Sequence, residues 1–136
     1  LGFQAAGAAP IVLDHIVEDP QTIASAIRIG NPASWKSAVN ARDESGGAID
    51  SVTDDEIMEA YRRIAREEGI FCEPASAASL AGLVKASKTR DLRGSTCVCI
   101  ITGAGLKDPD TAKTLSWREI DVPARLDAIE AALPIP

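Results

Sequence analysis

Three short segments of this 136-residue chain combine small residues with a polar side chain able to orient a ligand: Gln4-Ala5-Ala6-Gly7, Glu73-Pro74-Ala75-Ser76 and Thr102-Gly103-Ala104-Gly105. Glycine and alanine let a backbone come close to whatever it meets, and one polar group beside them can orient a bound molecule. Each segment follows a run expected to be a β-strand, and in open parallel α/β sheets ligands collect beyond the carboxyl ends of the strands. The pattern describes a cofactor pocket better than a protein interface. For the run Ala5-Ala6-Gly7-Ala8-Ala9 two readings stand: tight helix-to-sheet packing, or backbone exposed to a ligand.

Other chemistries fail on inventory. His15 is the single histidine, follows Asp14 in an expected loop and has no serine or cysteine motif to pair with, which argues against a hydrolytic triad or a metal cluster and for a satisfied surface residue. Gly103-Ala104-Gly105 lacks a third glycine and a following Lys-Ser/Thr, so neither a dinucleotide fingerprint nor a P-loop is supported. Cys72, Cys97 and Cys99 are odd in number and sit in apolar runs, which suits buried reduced thiols and a cytoplasmic setting. Fourteen Lys and Arg against twenty Asp and Glu give a net charge of -6 with no basic stripe, which argues against nucleic acid as a ligand. No run approaches the roughly 20 apolar residues of a membrane span.

The elements that must carry the three segments read as an α/β alternation. Leu1 to Gln4 reads as the end of a strand. Thr22 to Ile29 has a short helical pattern stopped by Gly30-Asn31-Pro32, and a second helix follows with Ser34 as a candidate cap and Trp35, Ala38 and Val39 on one face. Ala48 to Val52 alternates as a short strand. Thr53-Asp54-Asp55-Glu56 is a capping box, opening a helix whose buried stripe is Ile57, Ala60, Tyr61, Ile64 and Ala65, with Glu59 and Arg63 a four-residue ion pair and Gly69 the stop. Ile70-Phe71-Cys72 reads as a buried strand, and Pro74 starts a helix that is apolar on most faces. Ser95 to Ile101 is hydrophobic throughout, as an interior parallel strand would be. Val122 to Leu133 reads as a terminal amphipathic helix.

Four blocks, Gly2-Phe3-Gln4-Ala5-Ala6-Gly7-Ala8-Ala9-Pro10, Arg28-Ile29-Gly30-Asn31-Pro32-Ala33-Ser34-Trp35, Glu73-Pro74-Ala75-Ser76-Ala77-Ala78-Ser79 and Thr102-Gly103-x-Gly105-Leu106-Lys107-Asp108-Pro109, resemble threonine synthases in order and spacing. The likeness runs from residue 1 to about 111; residues 112–136 are only compatible with it. It implies the C-terminal segment of a tryptophan synthase β-like (fold type II) pyridoxal-phosphate enzyme, part of a large α/β domain with parallel strands between helices. The implied reaction takes O-phosphohomoserine and water to threonine and phosphate, a lyase chemistry in which pyridoxal phosphate is the electron sink. By the same resemblance Thr102 hydrogen-bonds the cofactor's pyridine nitrogen, Glu73 approaches the ring, Ala5 and Ala6 line the ring or substrate side, and Gly103 shapes the turn. Ala104 departs from the His or Asn usual at that position.

The family's Schiff-base lysine, ring-side asparagine and glycine-rich phosphate loop lie upstream of the part resembled here, and no matching motif occurs in these residues. The expectation is therefore an inactive piece of a longer enzyme, which is a homodimer when full length. Lys107 is expected in a solvated loop, its ammonium paired with Asp108 or Asp110. Strands at Phe3, Phe71 and Val98 would lose neighbours and expose apolar faces, favouring self-association. A different lyase of the same fold, such as a dehydratase, and a non-catalytic interaction module are the competing readings; the Arg28 to Trp35 block favours threonine synthase over the dehydratase.

Overall fold

The computed structural model describes residues 1–113 and 120–133. Strand β1 (Gly2–Ala5) pairs in parallel with β2 (Ile49–Val52), Gly2 opposite Ile49 and Ala5 opposite Val52. A parallel pair cannot be closed by a tight turn, and the crossover here holds a short helix α1 (Pro10–Leu13), a 3-10 turn at Ser25–Ile27 and helix α2 (Trp35–Glu44). Two longer helices, α3 (Asp54–Glu68) and α4 (Pro74–Ser87), pack on each other, and α4 also packs on both strands. A second 3-10 turn (Gly105–Lys107), α5 (Pro109–Lys113) and α6 (Leu126–Ala132) complete the described elements.

The capping box at Thr53 forms as the sequence dictates: Glu56 N donates to Thr53 Oγ1 at 3.2 Å and Thr53 N donates to Glu56 Oε2 at 2.8 Å. At the other end of α3 Gly69 takes the left-handed conformation, φ 67°, that a side chain would resist. Between these ends Ile57, Met58, Ala60, Tyr61 and Ile64 are buried. They meet Ala5, Val52, Ala24, Cys72, Ala77, Ala78 and Ala81 in one core. The alanines of α4 let it lie close on the sheet: a Cβ at Gly82 would fall 2.1 Å from the Phe3 ring. The small-residue character of this helix is thus a packing device.

Several expectations need correction. The segments 70–72 and 95–101 form no strand; an isolated antiparallel bridge joins Cys72 to Ala104, and no described strand lies beside residues 96–101. A β-rich run becomes a strand only where a ladder partner meets it, and the parallel β1–β2 pair is the only ladder among the described residues. Of the expected exposed faces, Val98 is 83% and Ile100 71% exposed and Phe71 is exposed as well, whereas Phe3 is half-buried against the core. Cys72 is buried as expected, but Cys97 is exposed and Cys99 intermediate, for the same reason. The helix expected over 22–29 shrinks to the 3-10 turn, because Thr22 and Ile23 are held by Asp54 instead of by helical bonds. Ser34 makes no side-chain cap on α2. Arg63 pairs with Glu67 at 3.0 Å, and Glu59 pairs with Arg62 at 3.7 Å.

Tyr61 is nearly fully buried, and its hydroxyl has no hydrogen-bond partner among the described residues. Burial, then the neighbouring Cys72 and Asp108, push its pKa up from the usual tyrosine value, so the hydroxyl is neutral at physiological pH. A buried hydroxyl without a partner costs about 1–3 kcal/mol. Tyr61→Phe is therefore expected to raise stability by about 1 kcal/mol, read as a higher urea midpoint at unchanged slope. A loss of stability would mean that the hydroxyl is bonded after all.

Candidate functional site

The turn after residue 101 and the start of α4 are built against each other. Glu73 N donates to Gly103 O at 3.0 Å, and Gly105 N donates to Phe71 O at 3.0 Å, so the two segments run antiparallel through the Cys72–Ala104 bridge. Pro74 occupies the first helical position of α4, where its missing N–H costs nothing. This puts Ser76 in the first turn, buried, with its Oγ accepting from Gly103 N at 2.9 Å and lying 3.0 Å from Thr102 Oγ1. Glu73 is buried behind the turn; a Cβ at Gly103 would fall 2.2 Å from its Oε1. Glycine at 103 is what lets the carboxyl group close on the backbone.

The outer side of this cluster is open, since Thr102 is exposed while its hydroxyl is held from within by Ser76. The arrangement offers one neutral hydroxyl to a ligand, with a carboxyl group behind it and small residues around it. Those features fit the ring-nitrogen edge of pyridoxal phosphate, a flat heteroaromatic ring with one hydrogen-bonding atom on that edge. Among the described residues no lysine or arginine hydrogen-bonds to the cluster, so it provides neither a cationic phosphate site nor an amine for the aldehyde. Lys107 ends the 3-10 turn and is exposed. The expected pairing of Lys107 with Asp108 or Asp110 is not what forms: Asp108 accepts from Ser25 Oγ at 3.0 Å and from Thr111 Oγ1 at 3.0 Å, and Asp110 pairs with Lys113 at 2.9 Å.

Of the residues singled out from sequence, the fold brings Glu73, Thr102 and Gly103 together. Ala5 is fully buried at the end of β1 and shares the core with Cys72, Ala77 and Ala78, while Ala6 beside it is exposed. For this run the packing reading holds at Ala5. Gly7 is met by the backbone of Gln21, whose N–H donates to Gly7 O at 2.9 Å. His15 is exposed, its Nδ1 2.9 Å from Leu13 O, as a satisfied surface histidine should be.

Two parts of the site escaped sequence reasoning. Ser76 stood in a quoted block, but no role for it follows from spacing alone. The loop 21–28 reaches the first of the three segments, where Gln21 bonds Gly7, and Ser25 bonds Asp108 just beyond the third. It also packs on α4. Asp54, the first residue of α3, fastens the loop by accepting from Thr22 Oγ1 and, at 2.9 Å, from Ile23 N. Arg28 folds back on the same loop, its Nε donating to Thr22 O at 2.8 Å.

The sequence profile of the family described as "Pyridoxal-phosphate dependent enzyme" matches residues 1–103. The chain belongs to this family of pyridoxal-phosphate-dependent enzymes. Among curated proteins it is similar to the threonine synthase of Mycobacterium tuberculosis (strain ATCC 25618 / H37Rv), 61% identical over 82% of this chain and 31% of the relative. It is also similar to the threonine synthase of Halalkalibacterium halodurans, 52% identical over 98% of this chain and 39% of that protein. The chain thus spans between about a third and two-fifths of the length of these relatives. A crystal structure of a T.th. threonine deaminase superposes with a TM-score of 0.53 over 66% of this chain and 35% of the other, at 17% identity, and so supports the fold.

Proposed function

We propose that this chain is the C-terminal part, residues 1–136 as one segment, of the catalytic unit of a threonine synthase, which converts O-phosphohomoserine and water to threonine and phosphate. The observation that carries the reading is the 52–61% identity to threonine synthases over 82–98% of the chain, with the Glu73, Ser76, Thr102 and Gly103 cluster formed inside the matched part or at its edge. When bound, pyridoxal phosphate supplies an electron sink for carbanions at the α and β carbons of the amino acid. In this reading Thr102 meets the ring nitrogen with a neutral hydroxyl. A carboxylate there would hold the nitrogen protonated; a hydroxyl does not, and the sink is correspondingly tempered. Gly103 and the buried Glu73 fix the turn that carries Thr102, and the exposed Ala6 lines the ring or substrate side while the buried Ala5 supports it from the core.

The lysine that holds the cofactor, and the phosphate loop, are proposed to lie outside these residues, in the part of the relatives that the chain does not span. The assembled enzyme is proposed to be a cytoplasmic homodimer. Among the described residues no helix is long and apolar enough to cross a membrane.

The test joins this chain in frame to the preceding segment of the Mycobacterium tuberculosis relative and measures phosphate release from O-phosphohomoserine beside the 136-residue chain alone. Turnover by the joined protein, with none from the chain alone, is the expected result. Formation of a 2-oxo acid and ammonia from threonine, without phosphate release from O-phosphohomoserine, would assign the chain to a dehydratase instead.

A further inference from the structure

We propose that Ser76 is a positioning residue that turns the proton of the Thr102 hydroxyl outward, making Thr102 a hydrogen-bond donor toward the bound ring. The inference rests on the reading of Thr102 as the group that faces the cofactor's ring nitrogen.

A serine hydroxyl has one proton and two lone pairs. One lone pair of Ser76 Oγ is committed to the N–H of Gly103 at 2.9 Å. Its proton has two possible acceptors, Thr102 Oγ1 at 3.0 Å and Gly103 O at 3.3 Å. An O–H···O bond is normally no longer than about 3.0 Å. Gly103 O, besides being farther, already accepts the N–H of Glu73 at 3.0 Å. The proton of Ser76 therefore goes to Thr102. With a lone pair of Thr102 taken from the buried side, its own proton is left for the open side. In the reverse arrangement Thr102 would donate inward to Ser76 and show only lone pairs to a ligand.

The direction has a chemical consequence. An outward donor pairs with an unprotonated ring nitrogen and opposes a protonated one, so it lowers the nitrogen's affinity for a proton. Ser76 is held for this task by the helix start: its N–H donates to Glu73 O at 3.0 Å, and its side chain is enclosed between α4 and the 102–103 turn. It touches no ligand itself and acts through Thr102.

The test titrates the full-length polypeptide carrying this chain with pyridoxal phosphate, following absorbance, for the unaltered protein, Ser76→Ala, Ser76→Thr, Thr102→Val and the Ser76→Ala/Thr102→Val pair. Amide exchange at Gly103 is measured on the same proteins. Ser76→Ala is expected to weaken binding about 5- to 10-fold, the size of one lost hydrogen bond, and to speed Gly103 exchange. Ser76→Thr restores most of the affinity. In the Thr102→Val background Ser76→Ala costs no further affinity. Unchanged binding in Ser76→Ala, or an equal loss with and without the Thr102 hydroxyl, overturns the proposal while leaving the cofactor reading intact. Failure of the unaltered protein to bind pyridoxal phosphate overturns that reading and the inference together.

Discussion

Gly7→Ala is expected to destabilise the chain by about 3 kcal/mol and to loosen the loop that spans the site. A Cβ at this position would fall 1.9 Å from the carbonyl oxygen of Gln21, and the obstacle is backbone, which no rotamer change can remove. Overpacking costs about 1–3 kcal/mol even where side chains can shift, and a backbone obstacle places this change at the upper end. The displaced residue begins the segment 21–28, whose other anchors are Asp54 at α3 and Asp108 beyond the Thr102 turn. Two readouts check the result. The urea midpoint should fall, and amide exchange should accelerate at Ile27 and Arg28, whose N–H groups bond Ala24 O and Ser25 O within the loop. A stability within about 0.5 kcal/mol of the unaltered chain, the range of an ordinary surface substitution, would show that Gln21 does not lie against Gly7.

Ile57→Ala is expected to cost about 2–5 kcal/mol, the range for emptying a filled core position, and most of the chain's cooperative unfolding with it. Ile57 is fully buried on α3, in the core that it shares with Ala5, Val52 and the alanines of α4. Those alanines carry no side chain long enough to reach into the space left behind, so collapse around the cavity is limited. Net stabilities of whole domains are only about 5–15 kcal/mol, and loss on this scale should appear as a large drop in midpoint with a shallower transition. A change below about 1 kcal/mol would mean that α3 and α4 do not share this core. Together with Tyr61→Phe one helical turn on, which is expected to move stability the opposite way, the pair separates lost volume from a buried polar group.

The helices α3 and α4 were readable because their signals are local. A capping box, a stripe of apolar residues at helical spacing, a proline at the first turn and a glycine at the stop act within a few residues of one another, and each appears in the fold as written. The β1–β2 pair was readable as two short strands, though not as a pair. The site was legible in part. Glu73, Thr102 and Gly103 stood out as polar or turn-forming residues in runs of small ones, and they do converge. Ser76 did not stand out, because its role depends on Gly103 and Thr102 lying within hydrogen-bond distance across 26 residues of chain. Asp54 stood in the sequence only as part of a capping box at a helix start, while its two oxygens hold a loop more than 30 residues earlier.

By itself the sequence determined where α3 starts and stops and where α4 begins, the small-residue approaches and the family, all of which are written in neighbouring residues or in their order. Only the tertiary structure decided what each β-rich run becomes. Residues 49–52 and 95–101 both carry strand-forming side chains, but the first finds β1 beside it and the second meets no described strand, leaving Val98 and Ile100 in solvent. Strand formation needs hydrogen bonds from a partner that local sequence cannot specify. The same holds for the polar contacts of the site. A hydroxyl's type is given by the chain, but its donor or acceptor role toward a ligand is set by whichever groups the fold brings to its buried side, as Ser76 is brought to Thr102.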